Sequence, residues 1–361
     1  MRMILMSYAD PLHLAVGFTI LIFLYLFLIK EIAHRTVVAM FFAAVTIIAN
    51  IVLRFTDFKS FIDAVNLDTI LLLMSMMIIV GIMSETGVFS YLAELVTLKL
   101  YRKPFTMLAV LGLVTAIISA FIDNVTTVLM ITPIVLEISR KLKVDARPLL
   151  LGIVFASNIG GTATLIGDPP NIIIGTAAGL GFMDFIYSLT PPVFIAFLAY
   201  LFTLRVLFAS WLKDYRERVK GITFSVRGFD IVRKGLLLKV LVVFVTVVTL
   251  FFLEDVFNYS PAIPPLMGAG ILLIAAKDVI NIDDALKKVD WTTLVFFIGM
   301  FIVIRGVQDL GVMDFIAKEL ASAGGSYIVL LTLIIWVSAM VSAFVDNIPF
   351  VMSMIPVIPI L

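Results

Sequence analysis

The sequence predicts an all-α polytopic membrane protein with inverted structural repeats, re-entrant helical hairpins and broken transmembrane helices. Three observations carry the prediction. The 361 residues are 62% hydrophobic and 14% charged, with a mean hydropathy of +1.17, whereas soluble domains carry about 25% charged residues. Apolar runs near the ~20 residues that cross a bilayer recur along the chain. Finally, Ser-Ala-Phe-(Ile/Val)-Asp-Asn occurs at 119–124 and again at 342–347, both times inside apolar sequence.

Taken in order, the first expected spans are 11–29, 36–53 and 69–86. The first reads as a membrane helix, because no basic segment and small-residue cleavage site frame it as a signal peptide. Region 104–139 is too long for one crossing and carries Asp123-Asn124 at its centre with Pro133 beyond. It reads as a hairpin that enters and leaves on one side. Region 148–177 holds Ser157-Asn158, Gly160-Gly161-Thr162, Thr164 and Gly167-Asp168-Pro-Pro-Asn171, and reads as a broken helix. Further spans are expected at 185–210, 236–253, 261–276, 291–307 and 326–361.

Charge placement supports the hairpin. With the N-terminus outside and no crossing by 104–139, the basic clusters at 99–103, 140–147, 213–234 and 277–288 share the inside, as the excess of Lys and Arg in cytoplasmic loops requires. Crossing would put the clusters at 99–103 and 140–147 on opposite faces. The stretch from Trp211 to Gly235 reads either as an ordinary basic loop or as a helix lying on the anionic leaflet.

The repeated motif organises the chain. The offset is 223 residues, and Gly87-Val88 recurs as Gly311-Val312 at 224. By the charge pattern the first hairpin opens inward and the second outward, an inverted pair suited to alternating access. Expected segments are scaffold helices at 1–63, a first repeat at 64–210, a cytoplasmic connector at 211–235, scaffold helices at 236–285 and a second, inverted repeat at 286–361. The same offset places a second glycine-rich broken helix near position 380, beyond Leu361, so the chain is expected to be C-terminally truncated.

The chemistry concentrates at these breaks. A charged residue at mid-membrane costs at least about 2.5–3.5 kcal/mol, so Asp123 and Asp346, with Asn124 and Asn347, point to ion handling. The competing role is a helix cap, which is compatible with an ion site at the same N-terminus. Unwound backbone around Gly160, Gly161 and Gly167, with oxygens from Ser157, Asn158, Thr162, Thr164, Asp168 and Asn171, suits sodium or a proton carrier. The alternative is a glycine packing face between helices. Glu85 and Glu137 read as salt-pairing residues beside basic clusters, and Asp68 and Asp290 as helix-start carboxylates. His13 and His34 read as interfacial.

The chain contains no cysteine, which removes disulfide and thiolate chemistry. It has no basic stripe with interleaved aromatics for nucleic acid. An intramembrane enzyme would need paired aspartates, Ser-His or His-metal geometry, and the two histidines lie near span ends. A channel is the other rival, and two inverted broken hairpins favour a transporter over it.

The segments IDNVTTVLMITP and SNIGGTATLIGDPPN closely resemble the arsenite permease, NhaD-type antiporter and P-protein group of the ion transporter superfamily, with its citrate-transporter-like domain. The resemblance implies a multi-pass inner-membrane secondary transporter that performs arsenite-type efflux or sodium/proton antiport by alternating access. It implies substrate or ion contacts at Asp123, Asn124, Thr126 and Thr127 with Ser157 to Asn171, and at Asp346 and Asn347 of the second hairpin. Sodium would fall to Asp123, Asn124, Ser157, Asn158 and Thr162. No cofactor is implied beyond a coupling sodium ion or proton. The implied partners are the lipid bilayer, a small inorganic ion and a second copy of the chain, plus a soluble ATPase subunit in the arsenite case. Related symporters carry Ser where Asp123 stands, and Pro349-Phe350 replaces Thr126-Thr127 in the second copy. Two carboxylates at one pocket would repel a dicarboxylate by several kcal/mol at low dielectric, so a sodium-coupled carboxylate or sulfate symporter is the alternative.

Overall fold

The computed structural model describes residues 10–220, 233–324 and 327–358. All regular structure among them is helical. In chain order the helices are α1 (Pro11–Ile29), α2 (Arg35–Val52), α3 (Phe58–Asp63), α4 (Leu67–Ser84), α5 (Val88–Leu100), α6 (Pro104–Ser119) and α7 (Asn124–Leu142). They continue with α8 (Arg147–Gly161), α9 (Pro169–Ala178), α10 (Phe182–Leu207), α11 (Ala209–Val219), α12 (Lys234–Phe252) and α13 (Glu254–Phe257). The remainder are α14 (Ile263–Ala276), α15 (Ile282–Leu286), α16 (Trp291–Asp309), α17 (Val312–Gly324), α18 (Tyr327–Ser342) and α19 (Asn347–Met354). Among the described residues, six helices (α1, α2, α4, α10, α12 and α16) are long and apolar enough to cross a membrane. The protein is an all-α polytopic membrane protein.

Several helices start where the sequence supplies a side-chain acceptor for their unpaired first-turn N–H groups. Asp10 caps α1 with Pro11 behind it, Asp57 caps α3 and Asp290 caps α16. Asp123 and Asp346 do the same for α7 and α19.

Helices α5 and α17 were not expected. Each has 13 residues, about 20 Å of helix at 1.5 Å per residue, so a search for full-length apolar spans passes over both. Each follows a glycine in the left-handed region, Gly87 at φ 78° and Gly311 at φ 82°, a conformation that costs glycine little. The span expected at 326–361 is interrupted at Ala343–Asp346, which separates α18 from α19. Helix α10 instead runs through Pro191 and Pro192.

The chain divides into two compact units, Met1–Ile70 with Asp290–Leu361, and Leu71–Val289. In the first, α2 packs along α16, where a Cβ on Gly299 would sit 3.0 Å from Ala39. Tyr25 of α1 donates to the Pro349 carbonyl at 3.0 Å and to Ser353 Oγ at 2.9 Å, holding α19. In the second, α6, α7 and α8 share a core of Met107, Leu108, Leu111, Val135, Leu149 and Ile153. Helix α11 covers it from outside: Leu212, Tyr215 and Val219 are buried, and Trp211 donates to the Asp145 carbonyl at 3.1 Å. Trp211 therefore has a protein partner. The rest of the basic connector, including Phe224 and Phe229, lies outside the described residues.

Candidate ion site at two helix breaks

The second unit brings its two breaks together. Helix α6 ends at Ser119 and α7 starts at Asn124; α8 ends at Gly161 and α9 starts at Pro169. The α6–α8 contact is close because Gly160 has no side chain. A Cβ there would lie 2.1 Å from the Ala116 carbonyl oxygen. At the break itself, a Cβ on Gly167 would meet the Gly161 oxygen at 2.5 Å and the Ser119 oxygen at 2.7 Å. The three glycines expected to line an ion site thus permit close backbone approach.

Side chains then tie the unwound residues down. Buried Asn171 donates to the Thr164 carbonyl at 2.8 Å and the Gly161 carbonyl at 3.1 Å, with Thr162 O at 3.4 Å. Buried Thr164 donates through its hydroxyl to the Ala120 carbonyl in the other break. The Asn124 amide donates to Asn158 Oδ1 at 3.0 Å and reaches Asp168 Oδ2 at 3.5 Å. Each bond satisfies a polar group that lipid could not.

Asp123 accepts the Thr126 N–H at 2.9 Å, and Thr127 donates to the Ile122 carbonyl at 3.4 Å. Ser157 and Asn158 each donate to the Val154 carbonyl at 2.9 Å, and Thr162 donates to the Asn158 carbonyl at 2.9 Å. These hydroxyl protons are engaged within their own helix, which leaves the hydroxyl oxygens as acceptors. Ser119, which opens the repeated motif but was not among the expected site residues, is fully buried, and its Oγ has no partner among the described residues. Buried polar atoms are ordinarily satisfied. An oxygen without a partner between two unwound segments fits an ion or water ligand.

Asp123 and Thr126 also line a cavity of about 150 Å³ whose walls include Leu72, Met76 and Val80 of α4, Phe121, Met130 and Ile172. Drug-sized ligands usually occupy about 300–1,000 Å³. Lys288 lines the same cavity and is ion-paired to Glu85; its side chain crosses Gly81, where a Cβ would meet Lys288 Cβ at 2.5 Å. Glu137 pairs with Lys141 at 2.6 Å. The salt-pairing role expected for both glutamates is what the structure has. Lys288 read in sequence only as one more basic loop residue, since nothing local places it beside Asp123.

In the first unit, Asp346 caps α19 by accepting the Ile348 N–H at 3.4 Å. It is exposed within that unit, and its carboxylate pairs with Arg35 at 3.2 Å. His34 caps α2 through its ring nitrogen, and His13 packs edge-on to Phe55 with ring centres 4.5 Å apart.

The donor set at the two breaks is carboxylate, amide, hydroxyl and carbonyl oxygen, which suits hard cations. Two helix N-termini meet there, each equivalent to about half a positive charge. Against them stand the carboxylates of Asp123 and Asp168. These four groups together favour a cation over an anion.

An all-α polytopic membrane fold with interrupted helices points to the class of membrane transporters. Residues 25–360 match the Citrate transporter family, and the chain belongs to that family. It is 37% identical over 344 residues to an uncharacterized transporter of Mycobacterium tuberculosis, covering 95% of this chain and 80% of that protein. A 46 kDa membrane protein of Mycobacterium leprae is 37% identical over 345 residues, with the same shares. The P protein of Homo sapiens is 29% identical over 434 residues, covering 96% of this chain and 50% of that protein.

Proposed function

We propose that the protein is a secondary active transporter that binds a coupling cation, sodium or proton, at the two breaks and moves an inorganic ion or small oxyacid by alternating access. The observation that carries this reading is the Asn124 amide, which joins Asn158 and Asp168 beside the Asp123 cap. Asp123, Asn124, Ser157, Asn158 and Thr162 are the proposed ligands, with Ser119 added. Sodium/proton antiport and arsenite-type efflux are the forms that fit a small cavity facing a carboxylate. A second reading is a sodium-coupled carboxylate symporter, for which the family's description as citrate transporters supports the carboxylate alone. We place the protein in the plasma membrane as a homodimer, with its N-terminus outside.

The test is flux in proteoliposomes, scanning sodium, arsenite, chloride, citrate and dicarboxylates with and without a pH gradient. Sodium or arsenite flux that follows the pH gradient supports the reading. Citrate flux independent of both sodium and protons removes it.

Orientation has its own test, which the absence of native cysteine makes clean. Cysteines placed singly at Lys99 and Lys141 are expected to react with an impermeant thiol reagent from the same, cytoplasmic face. Reaction from opposite faces would remove the inward-opening hairpin, and the inverted arrangement with it.

A further inference from the structure

Two cavities of the second unit meet at one lysine. The walls of the Asp123 cavity are mostly apolar, with Leu72, Met76 and Phe121 among them. Beside it lies a larger pocket of about 410 Å³, lined by polar and charged residues that include Glu85, Asn281, Asp284 and Lys287. Gly81 and Lys288 line both and form their common wall. An ion moving from the polar pocket to the Asp123 carboxylate passes the Lys288 side chain.

The local sequence fixes where that side chain starts. The Lys288 N–H donates to the Ala285 carbonyl at 3.1 Å, and Ala285 and Val289 are buried, so the backbone after α15 is anchored. Lys287 turns back onto α15 and pairs with Asp284 at 2.8 Å. Lys288 instead lies across α4. A Cβ on Gly81 would meet its Cβ at 2.5 Å and its Cγ at 3.0 Å, so the glycine leaves room for the lysine stem. The ammonium then pairs with Glu85, just past the end of α4. The two side chains are 43% and 36% exposed, and an ion pair this open to solvent is weak and readily broken. An ammonium is a compact charge on a flexible stem, so losing that one contact frees the side chain to swing.

Charged side chains along a passage decide which ions enter, acidic ones favouring cations and basic ones anions. Paired with Glu85, Lys288 presents little net charge. Unpaired, it would set a positive charge at the entrance, where partial burial weakens screening. We propose that Lys288 is a strap between the polar pocket and the Asp123 cavity, and that Glu85 both latches and neutralises it, so that the pair controls which charge gains entry. The assignment rests on reading the Asp123 cavity as part of the ion path and deepens it by naming the residues that govern access.

The test uses the purified full chain, which has no native cysteine, carrying Met77→Cys as a reporter. Met77 lines the Asp123 cavity and not the polar pocket. Modification rates are measured in detergent at neutral pH with methyl methanethiosulfonate and with its cationic aminoethyl and anionic sulfonatoethyl analogues. Lys288→Ala removes the strap and is expected to speed the neutral reagent at least about tenfold, since a minor open state is typically populated at about 0.1–10%. A cysteine at Val279, on the polar-pocket side, is expected to change little. Glu85→Gln leaves the ammonium without its latch. It is expected to raise the anionic-to-cationic rate ratio at the reporter at least about tenfold, well within the reach of a unit charge at an effective dielectric of about 20. Lys288→Met keeps the stem, leaves Glu85 unpaired and is expected to move the ratio the other way. Combining Lys288→Met with Glu85→Gln is expected to bring the ratio back towards that of the native pair. Should Lys288→Ala fail to fold, the opposite shifts of Glu85→Gln and Lys288→Met decide. A neutral-reagent rate that Lys288→Ala leaves unchanged overturns the strap, and a ratio that ignores both charge changes overturns the control of charge. A reporter that stays unreactive in every variant overturns both. Failure of the cation reading shows elsewhere, as wild-type flux in Asp123→Asn, and leaves the reporter rates untouched.

Discussion

Asp123→Asn is expected to fold, to insert, and to lose transport driven by a sodium or proton gradient. The substitution separates the two roles of the residue. As a cap for α7, where Asp123 accepts the Thr126 N–H, Asn is about as good as Asp, so stability should change little. As a charge, it is gone. A unit charge about 4 Å from a cation is worth about 4 kcal/mol at an effective dielectric of 20, and even a third of that is a tenfold loss of affinity. Coupled flux in proteoliposomes is therefore expected to fall at least about tenfold, with a flattened pH profile for any residual exchange. Asp123→Glu keeps the charge but displaces it, and should retain partial activity at a shifted pH optimum. If Asp123→Asn transports at the wild-type rate with an unchanged pH profile, the carboxylate is only a cap. The ion site then has to be rebuilt from Ser157 to Asn171 alone.

Gly160→Ala is expected to be among the most destabilising single-methyl additions in the chain. The new Cβ would sit 2.1 Å from the Ala116 carbonyl oxygen and 2.5 Å from its carbonyl carbon and Cα. These are backbone atoms of α6 and cannot rotate away, so α6 and α8 must separate. Overpacking of this kind costs about 1–3 kcal/mol and sometimes more. Gly270→Ala is the control. No atom lies within 4 Å of its added Cβ, and it sits within α14, where Ala is favoured over Gly by up to about 1 kcal/mol. Thermal unfolding in detergent should move in opposite directions for the two variants. Equal midpoints would mean that Gly160 does not set the α6–α8 distance.

Much of this arrangement was legible from residue types alone. Composition and apolar run length gave a membrane protein of helices, and the interruptions at Asp123-Asn124 and at Thr162–Asp168 lie where polar residues and glycine stand inside apolar sequence. Helices α5 and α17 were missed because each mixes polar and apolar residues over a length too short to span. Arg35, Lys288 and Ser119 were missed for another reason. A charge at a helix start looks like any loop charge until the fold brings Asp346 or the Asp123 cavity to it, 311 positions away in the case of Arg35. Ser119 opens the repeated motif, but nothing in that pattern says that its hydroxyl is buried without a partner. Spacing reveals chemistry between neighbours in sequence, whereas contacts between distant segments appear only with the fold.

The hydrogen bonds around the unwound segment have a kinetic consequence. Asn171 serves the Gly161 and Thr164 carbonyls, and Thr164 serves Ala120, all from within one compact unit. A rearrangement that carries this unit as a whole exchanges none of those bonds with solvent. Its activation barrier therefore omits the cost of rehydrating loose peptide groups, about 1–3 kcal/mol for each buried group left unsatisfied. Opening the unwound segment itself would incur that cost several times over. Motion that preserves the cluster is the faster route, and a bound ion would keep its ligands throughout the journey.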